Sequence, residues 1–193
     1  KMFRYCFFKK ILISIIFGVL FFKSVLAENN LVIEVEGEAS GIIEITLLPD
    51  LAPLHVERIK ALANDGSYDG VVFHRVIDGF MAQTGDVQFG NKKAFNPDLV
   101  GRGSSLLPNL PSEFSDVPFV EGTVGMARSQ DPNSANSQFF IMFKPAPHLT
   151  TNYTVFGRVS TGMEVLNNIK KGDLKKNGAV INPDIMKKVY IKK

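Results

Sequence analysis

The chain has 193 residues but only one cysteine, Cys6, no tryptophan, and three histidines, His55, His74 and His148. One cysteine excludes an internal disulfide framework and any thiolate metal cluster. No pair of histidines is spaced for metal ligation, so no metal site is expected. No serine sits in a G-x-S-x-G elbow. The glycine-rich Gly101-Arg-Gly-Ser-Ser lacks the G-K-[ST] end of a phosphate loop. Acid is missing from residues 1–27, which hold Lys1, Arg4, Lys9, Lys10 and Lys23. The apolar run from Ile11 to Phe22 is 12 residues, short of the roughly 20 that a membrane-spanning helix needs.

What is there at the N-terminus has the three parts of a secretory signal. A basic start precedes the apolar run, and Val25-Leu26-Ala27 offers a small-residue cleavage site. The expected division is a signal peptide over 1–27, cleaved after Ala27, and one domain over 28–193; an uncleaved anchor is the alternative. Export places the protein in the periplasm or outside the cell. The net charge of +3 then belongs to the signal, because residues 28–193 carry 17 bases against 19 acids. Eight lysines gather between Lys170 and Lys193. Such a basic end suits nucleic acid or membrane contact, or a solvated edge strand that lysines keep from pairing with another chain; the second reading is preferred.

A hydrophobic content of 45% with 21% charge is that of a packed core. No repeat, low-complexity tract or linker divides the mature chain. Leu31–Glu36 and Ile42–Leu47 alternate apolar and polar residues around Gly37 and Gly41, as a β-hairpin does. Asp50 is expected to open a helix with Pro53 in its first turn, an apolar stripe of Val56, Ile59, Leu62 and Ala63, and Gly66 as its end. Strands are expected at Val71–Ile77, Phe80–Thr84, Thr123–Arg128, Gln138–Phe143, Val155–Val159 and Met186–Lys192, with a short helix over Met163–Lys170. Many short strands, two helices and a loop-rich middle (85–122) point to an antiparallel barrel or sandwich with helices outside it. Glu34 and Glu36 fall on the outward face of the first strand. Asn152-Tyr-Thr is a glycosylation sequon, meaningful only in a eukaryotic secretory pathway.

One segment stands apart. Phe73-His-Arg-Val-Ile-Asp-Gly-Phe-Met-Ala-Gln-Thr-Gly-Asp86 interleaves an arginine, a glutamine and large apolar residues around a glycine turn. Gly125-Met-Ala-Arg, then Ser137-Gln-Phe-Phe-Ile141, and then Val155-Phe-Gly-Arg-Val159 follow. In order and spacing these blocks resemble the signature of the cyclophilins, the peptidyl-prolyl cis-trans isomerases, and the likeness extends over about residues 31–192.

The resemblance implies a mainly β fold, a closed eight-stranded antiparallel barrel capped by two α-helices. It implies Arg75 as the catalytic arginine and Gln83 as the residue that orients it. Phe80, Met81, Phe140 and Leu149 match the pocket for the proline ring. Ala127 and Arg128 stand where backbone pairs with bound peptide, and His74 and Gln138 complete the cleft. His148 occupies the rim position that is tryptophan in many members, the residue with which they grip the macrocycle cyclosporin; weakened cyclosporin binding is expected. Tyr153 stands where eukaryotic members often have histidine, and Arg128 where asparagine is common. Gln130-Asp-Pro-Asn is one residue longer than in common eukaryotic forms, and Val87–Leu110 matches least well.

The function expected is isomerisation of X–Pro bonds in exported proteins, assisting their folding, without cofactor or metal. The alternative is a chaperone-like module that binds proline peptides with little turnover. Partners are proline-containing polypeptides rather than nucleic acid, with no stable membrane insertion after signal cleavage and a monomeric state.

Overall fold

Alternation along the strands builds one continuous wall. The computed structural model describes residues 30–192; the expected signal peptide, its expected cleavage point and Cys6 lie outside them. Strands β1 (Asn30–Glu36) and β2 (Gly41–Leu47) form the hairpin, followed by helix α1 (Pro53–Asn64). Next come β3 (Val71–Val72), β4 (Arg75–Ile77), β5 (Met81–Thr84), β6 (Thr123–Met126), β7 (Phe139–Met142) and β8 (Val155–Thr161). Helix α2 (Met163–Asn168) and β9 (Ile185–Ile191) end the chain.

The sheet has nine strands in the order β3-β9-β1-β2-β8-β6-β7-β5-β4, every paired edge antiparallel. The sequence pattern gives eight, because it runs Val71–Ile77 as a single strand. That segment is divided at Phe73-His74. Its first part pairs with β9 and its second with β5, so the two outer strands of the sheet are one stretch of chain and the wall curls round on itself. Bonds from Phe73 N to Asp184 O (2.9 Å) and from Val180 N to His74 O (3.1 Å) carry the pairing across the division.

Residues of opposite parity go to opposite sides of the wall. On β7, Phe139 and Ile141 enter the large core with Ile33, Ile45, Phe156 and the α1 residues Val56, Ile59 and Leu62. Phe140 and Met142 turn the other way, into a second cluster with Met81, Phe119, Leu149 and Val155. Strands β4 and β5 obey the same rule: Val76 and Ala82 face the large core, while Met81 and the partly buried Ile77 join the second cluster. Arg75 and Gln83, opposite each other in register, share the parity of Met81 and Ile77.

Helix α1 begins later than expected. Asp50 lies in a turn, and Pro53 is the first helical residue. Its flanking residue Ala52 has no capping side chain. Glu113 supplies that function from far along the chain, accepting from Leu54 N at 3.2 Å and His55 N at 3.1 Å. A carboxylate there satisfies orphan N–H groups and meets the positive end of the helix. The same carboxylate also accepts from Nδ1 of buried His55 at 2.6 Å.

Candidate active site

The second cluster lies beneath a cleft of about 550 Å³. Arg75, Phe80, Met81, Gln83, Ala127, Arg128, Phe140, His148, Leu149 and Tyr153 line it, and the sequence marks each of them; Asn152 is an addition. Gly125 lets the floor close. A Cβ on it would stand 2.6 Å from the Phe119 ring and 2.8 Å from the Phe140 ring. These two rings stack with centroids 5.6 Å apart, and Tyr153 packs against Phe140 near perpendicular, centroids 5.7 Å apart. At the mouth, His148 stacks on Phe80 with centroids 6.0 Å apart.

A line of neutral acceptors runs beside this apolar floor. Arg75 donates from Nη1 to Gln83 Oε1 (3.1 Å), from Nε to the backbone oxygen of Asn177 (2.9 Å), and from Nη2 to Asn177 Oδ1 (3.0 Å). Gln83 Nε2 donates to Gln138 Oε1 (3.0 Å), and Gln138 Nε2 to the oxygen of Gly103 (2.8 Å). Three of the five guanidinium N–H donors are thereby bound to oxygen. Nη1 also reaches Met81 Sδ at 3.9 Å, so one N–H of Nη2 is left uncommitted on a side chain that lines the cleft. Burial draws Arg75 below its ordinary pKa, with Tyr153 opposing. A guanidinium starts so high that it remains charged at neutral pH.

Two expected site residues do not line the cleft. Gln138 stands behind Gln83 as the next link of the polar chain, and is buried. His74 has the opposite parity to Arg75 and points into the wall, where it is 5% exposed. Burial lowers its pKa to about 4; Asp86 opposes this and Arg75 adds to it. His74 is therefore a neutral packing residue at pH 7.

Three residues needed the fold to be found. Asn177 has a positive φ of 54° and comes to Arg75 from 102 positions away. Asn152, seen in sequence only as a sequon, uses its amide on the oxygens of His148 and Thr150, both at 3.2 Å. Asp86 is fully buried and organises the loop that matched the signature least. Its carboxylate accepts from the backbone N–H of Gln88, Phe89, Gly101 and Gly103 at 2.7 to 3.1 Å. That fixes Gly103, whose oxygen anchors Gln138. Among the described residues no group of three or more His, Cys, Asp or Glu is placed to hold a metal ion, and no helix is long and apolar enough to cross a membrane.

A curled antiparallel wall, an apolar floor and a tethered arginine define a prolyl isomerase of the cyclophilin kind. Residues 31–191 match the family model described as cyclophilin type peptidyl-prolyl cis-trans isomerase/CLD. A probable peptidyl-prolyl cis-trans isomerase of Brucella suis is 56% identical over 165 residues, 85% of this chain and 83% of that protein. Peptidyl-prolyl cis-trans isomerase B of Bacillus subtilis is 37% identical over 135 residues, 69% of this chain and 87% of that one. A crystal structure of a cyclophilin type isomerase from Cryptosporidium parvum, determined in the presence of the dipeptide Ala-Pro, has a TM-score of 0.71. It is 26% identical, with 85% of this chain and 99% of that one covered. The chain belongs to the cyclophilin-type peptidyl-prolyl cis-trans isomerases.

Proposed function

We propose that this enzyme isomerises X–Pro bonds in exported proteins after removal of its own signal peptide, and thereby speeds their folding. The observation that carries the catalytic part is the tethered Arg75 beside the apolar floor. Rotation about the peptide bond faces a barrier of about 18–20 kcal/mol, because twisting abolishes amide resonance. In the twisted state the prolyl nitrogen regains its lone pair and becomes a better acceptor. A guanidinium donor held beside it binds that state more strongly than either planar isomer, which is differential binding of the transition state. Each tenfold in rate requires about 1.4 kcal/mol of that preference.

Phe80, Met81, Phe140 and Leu149 hold the proline ring while the preceding carbonyl turns. Gln83 and Asn177 keep the guanidinium from following the substrate or solvent. Ala127 and Arg128 offer backbone to the peptide, and His148 and Tyr153 bound it at the rim. The step moves no proton and breaks no bond. A pure peptide holder has no need of an arginine restrained at three nitrogens, which favours turnover over the chaperone-like alternative. The Ala-Pro dipeptide used with the Cryptosporidium relative supports proline-containing peptides as the ligand class.

Exchange spectroscopy on a short Ala-Pro peptide tests the activity: the purified domain is expected to accelerate cis-to-trans exchange, and an unchanged rate contradicts the proposal. Refolding of an exported protein limited by X–Pro isomerisation tests the role, since slow phases of this kind are the ones prolyl isomerases shorten. The basic, apolar and small-residue segments of residues 1–27 support export. Intact mass of the cell-derived protein decides it: a start at Glu28 is expected, and a retained Lys23 contradicts cleavage.

A further inference from the structure

We infer that the cleft selects prolines flanked by an acidic residue, and that Arg128 is the selecting group; the inference rests on the proline-peptide reading of the same cleft. Arg128 is half-buried at the cleft wall with its guanidinium centred 4.5 Å above the Tyr153 ring. Nε and Nη2 donate to the oxygen of Asn152 at 3.1 and 2.8 Å. Nη1 donates to the oxygens of Ser129 (2.8 Å) and Gln130 (3.3 Å). These acceptors are neutral carbonyls. They fix the position of the charge without cancelling it, and leave one N–H of Nη2 uncommitted.

No carboxylate offsets it. Among the described residues no Asp or Glu lines the cleft, and neither Arg75 nor Arg128 has a carboxylate within 4.0 Å. Acids close by in the chain are occupied elsewhere. Asp131 accepts from Asn133 N at 2.9 Å. Glu113 is turned inward to His55 and the start of α1. Two fixed guanidinium groups thus share one cleft, on a domain whose residues 28–193 are net acidic. Tyr153 carries Arg128 over its ring and packs near perpendicular to Phe140, so the charge sits one ring away from the proline floor.

An acid beside the proline would meet a positioned cation at small desolvation cost, because the site is half-exposed. Exposed ion pairs are weak, so the expected discrimination is about two- to fivefold. The test uses peptides with Glu, Gln or Lys before the proline, and a second set with the same residues after it. Both kcat/KM and affinity by chemical-shift titration are read at about 20 mM and about 500 mM NaCl. Glu is expected to exceed Lys by that factor in at least one set at low salt, and the ratio to shrink toward one at high salt. In Arg128→Gln the low-salt ratio is expected to fall to near one. A ratio of one in the wild type at low salt overturns the inference, as does a ratio that survives in Arg128→Gln. Absence of turnover on every peptide would sink the isomerase reading instead, and the affinity ratio would still decide this one.

Discussion

Asn177 accepts two hydrogen bonds from Arg75, one on its backbone oxygen and one on its side-chain oxygen, at 2.9 and 3.0 Å. It does so from a left-handed backbone conformation that asparagine and glycine adopt more readily than other residues. Asn177→Gly keeps the conformation and the backbone oxygen while removing Oδ1. The freed Nη2 then samples positions away from the prolyl nitrogen. A fall in kcat of roughly tenfold is expected, about 1.4 kcal/mol, with KM within about twofold. Equal losses in kcat and affinity, or none, would show Asn177 to be a turn residue only.

Gly125 leaves room for two stacked rings. Gly125→Ala places a methyl carbon 2.6 and 2.8 Å from Phe119 and Phe140, so at least one ring must move. Overpacking of this kind costs about 1–3 kcal/mol. Because Phe140 is part of the floor, proline-peptide affinity is expected to fall together with thermal stability. Unchanged affinity in a variant with a lowered Tm would place the strain away from the floor.

His74 makes stability depend on pH. Its folded pKa of about 4 lies below the ordinary 6.5, so the unfolded chain takes up a proton first as pH falls. Stability is complete above about pH 6.5 and is lost as pH drops toward 4. Buried His55 acts in the same direction, its burial outweighing the opposing pull of Glu113. Urea unfolding is expected to show a domain roughly 2 kcal/mol less stable at pH 5 than at pH 7.5. A flat profile over that range contradicts the neutral, buried imidazole.

At the rim, His148 stacks on Phe80 where many relatives present an indole. Imidazole offers less apolar area and no indole N–H. Cyclosporin is expected to inhibit weakly, and His148→Trp to tighten it. Nanomolar inhibition of the unmodified protein would overturn this.

Much of the site was legible because it is local. Arg75, Phe80, Met81 and Gln83 stand within nine residues, and the alternation of Phe139 to Met142 places one aromatic in the core and the next under the cleft. The rest depends on contacts that no window contains. Glu113 caps α1 across 58 and 59 positions, which is why a start at Asp50 looked adequate from the chain alone. Asp86 holds its loop through backbone N–H groups, which leave no side-chain pattern. His74 adjoins the arginine in sequence but faces the other side of the wall, and the division at Phe73-His74 hid how the same segment joins β9 to β5.

Exchange measured on one Ala-Pro peptide with wild type, Arg75→Lys and Arg75→Ala, with affinity titrated separately for each, bears most directly on the tethered arginine. Loss of nearly all acceleration in Arg75→Ala is expected, with affinity changed by only a few-fold. Arg75→Lys is expected to recover little, since a single flexible ammonium cannot bind Gln83 and Asn177 and still face the substrate. Full activity in Arg75→Ala at unchanged affinity would contradict a catalytic arginine.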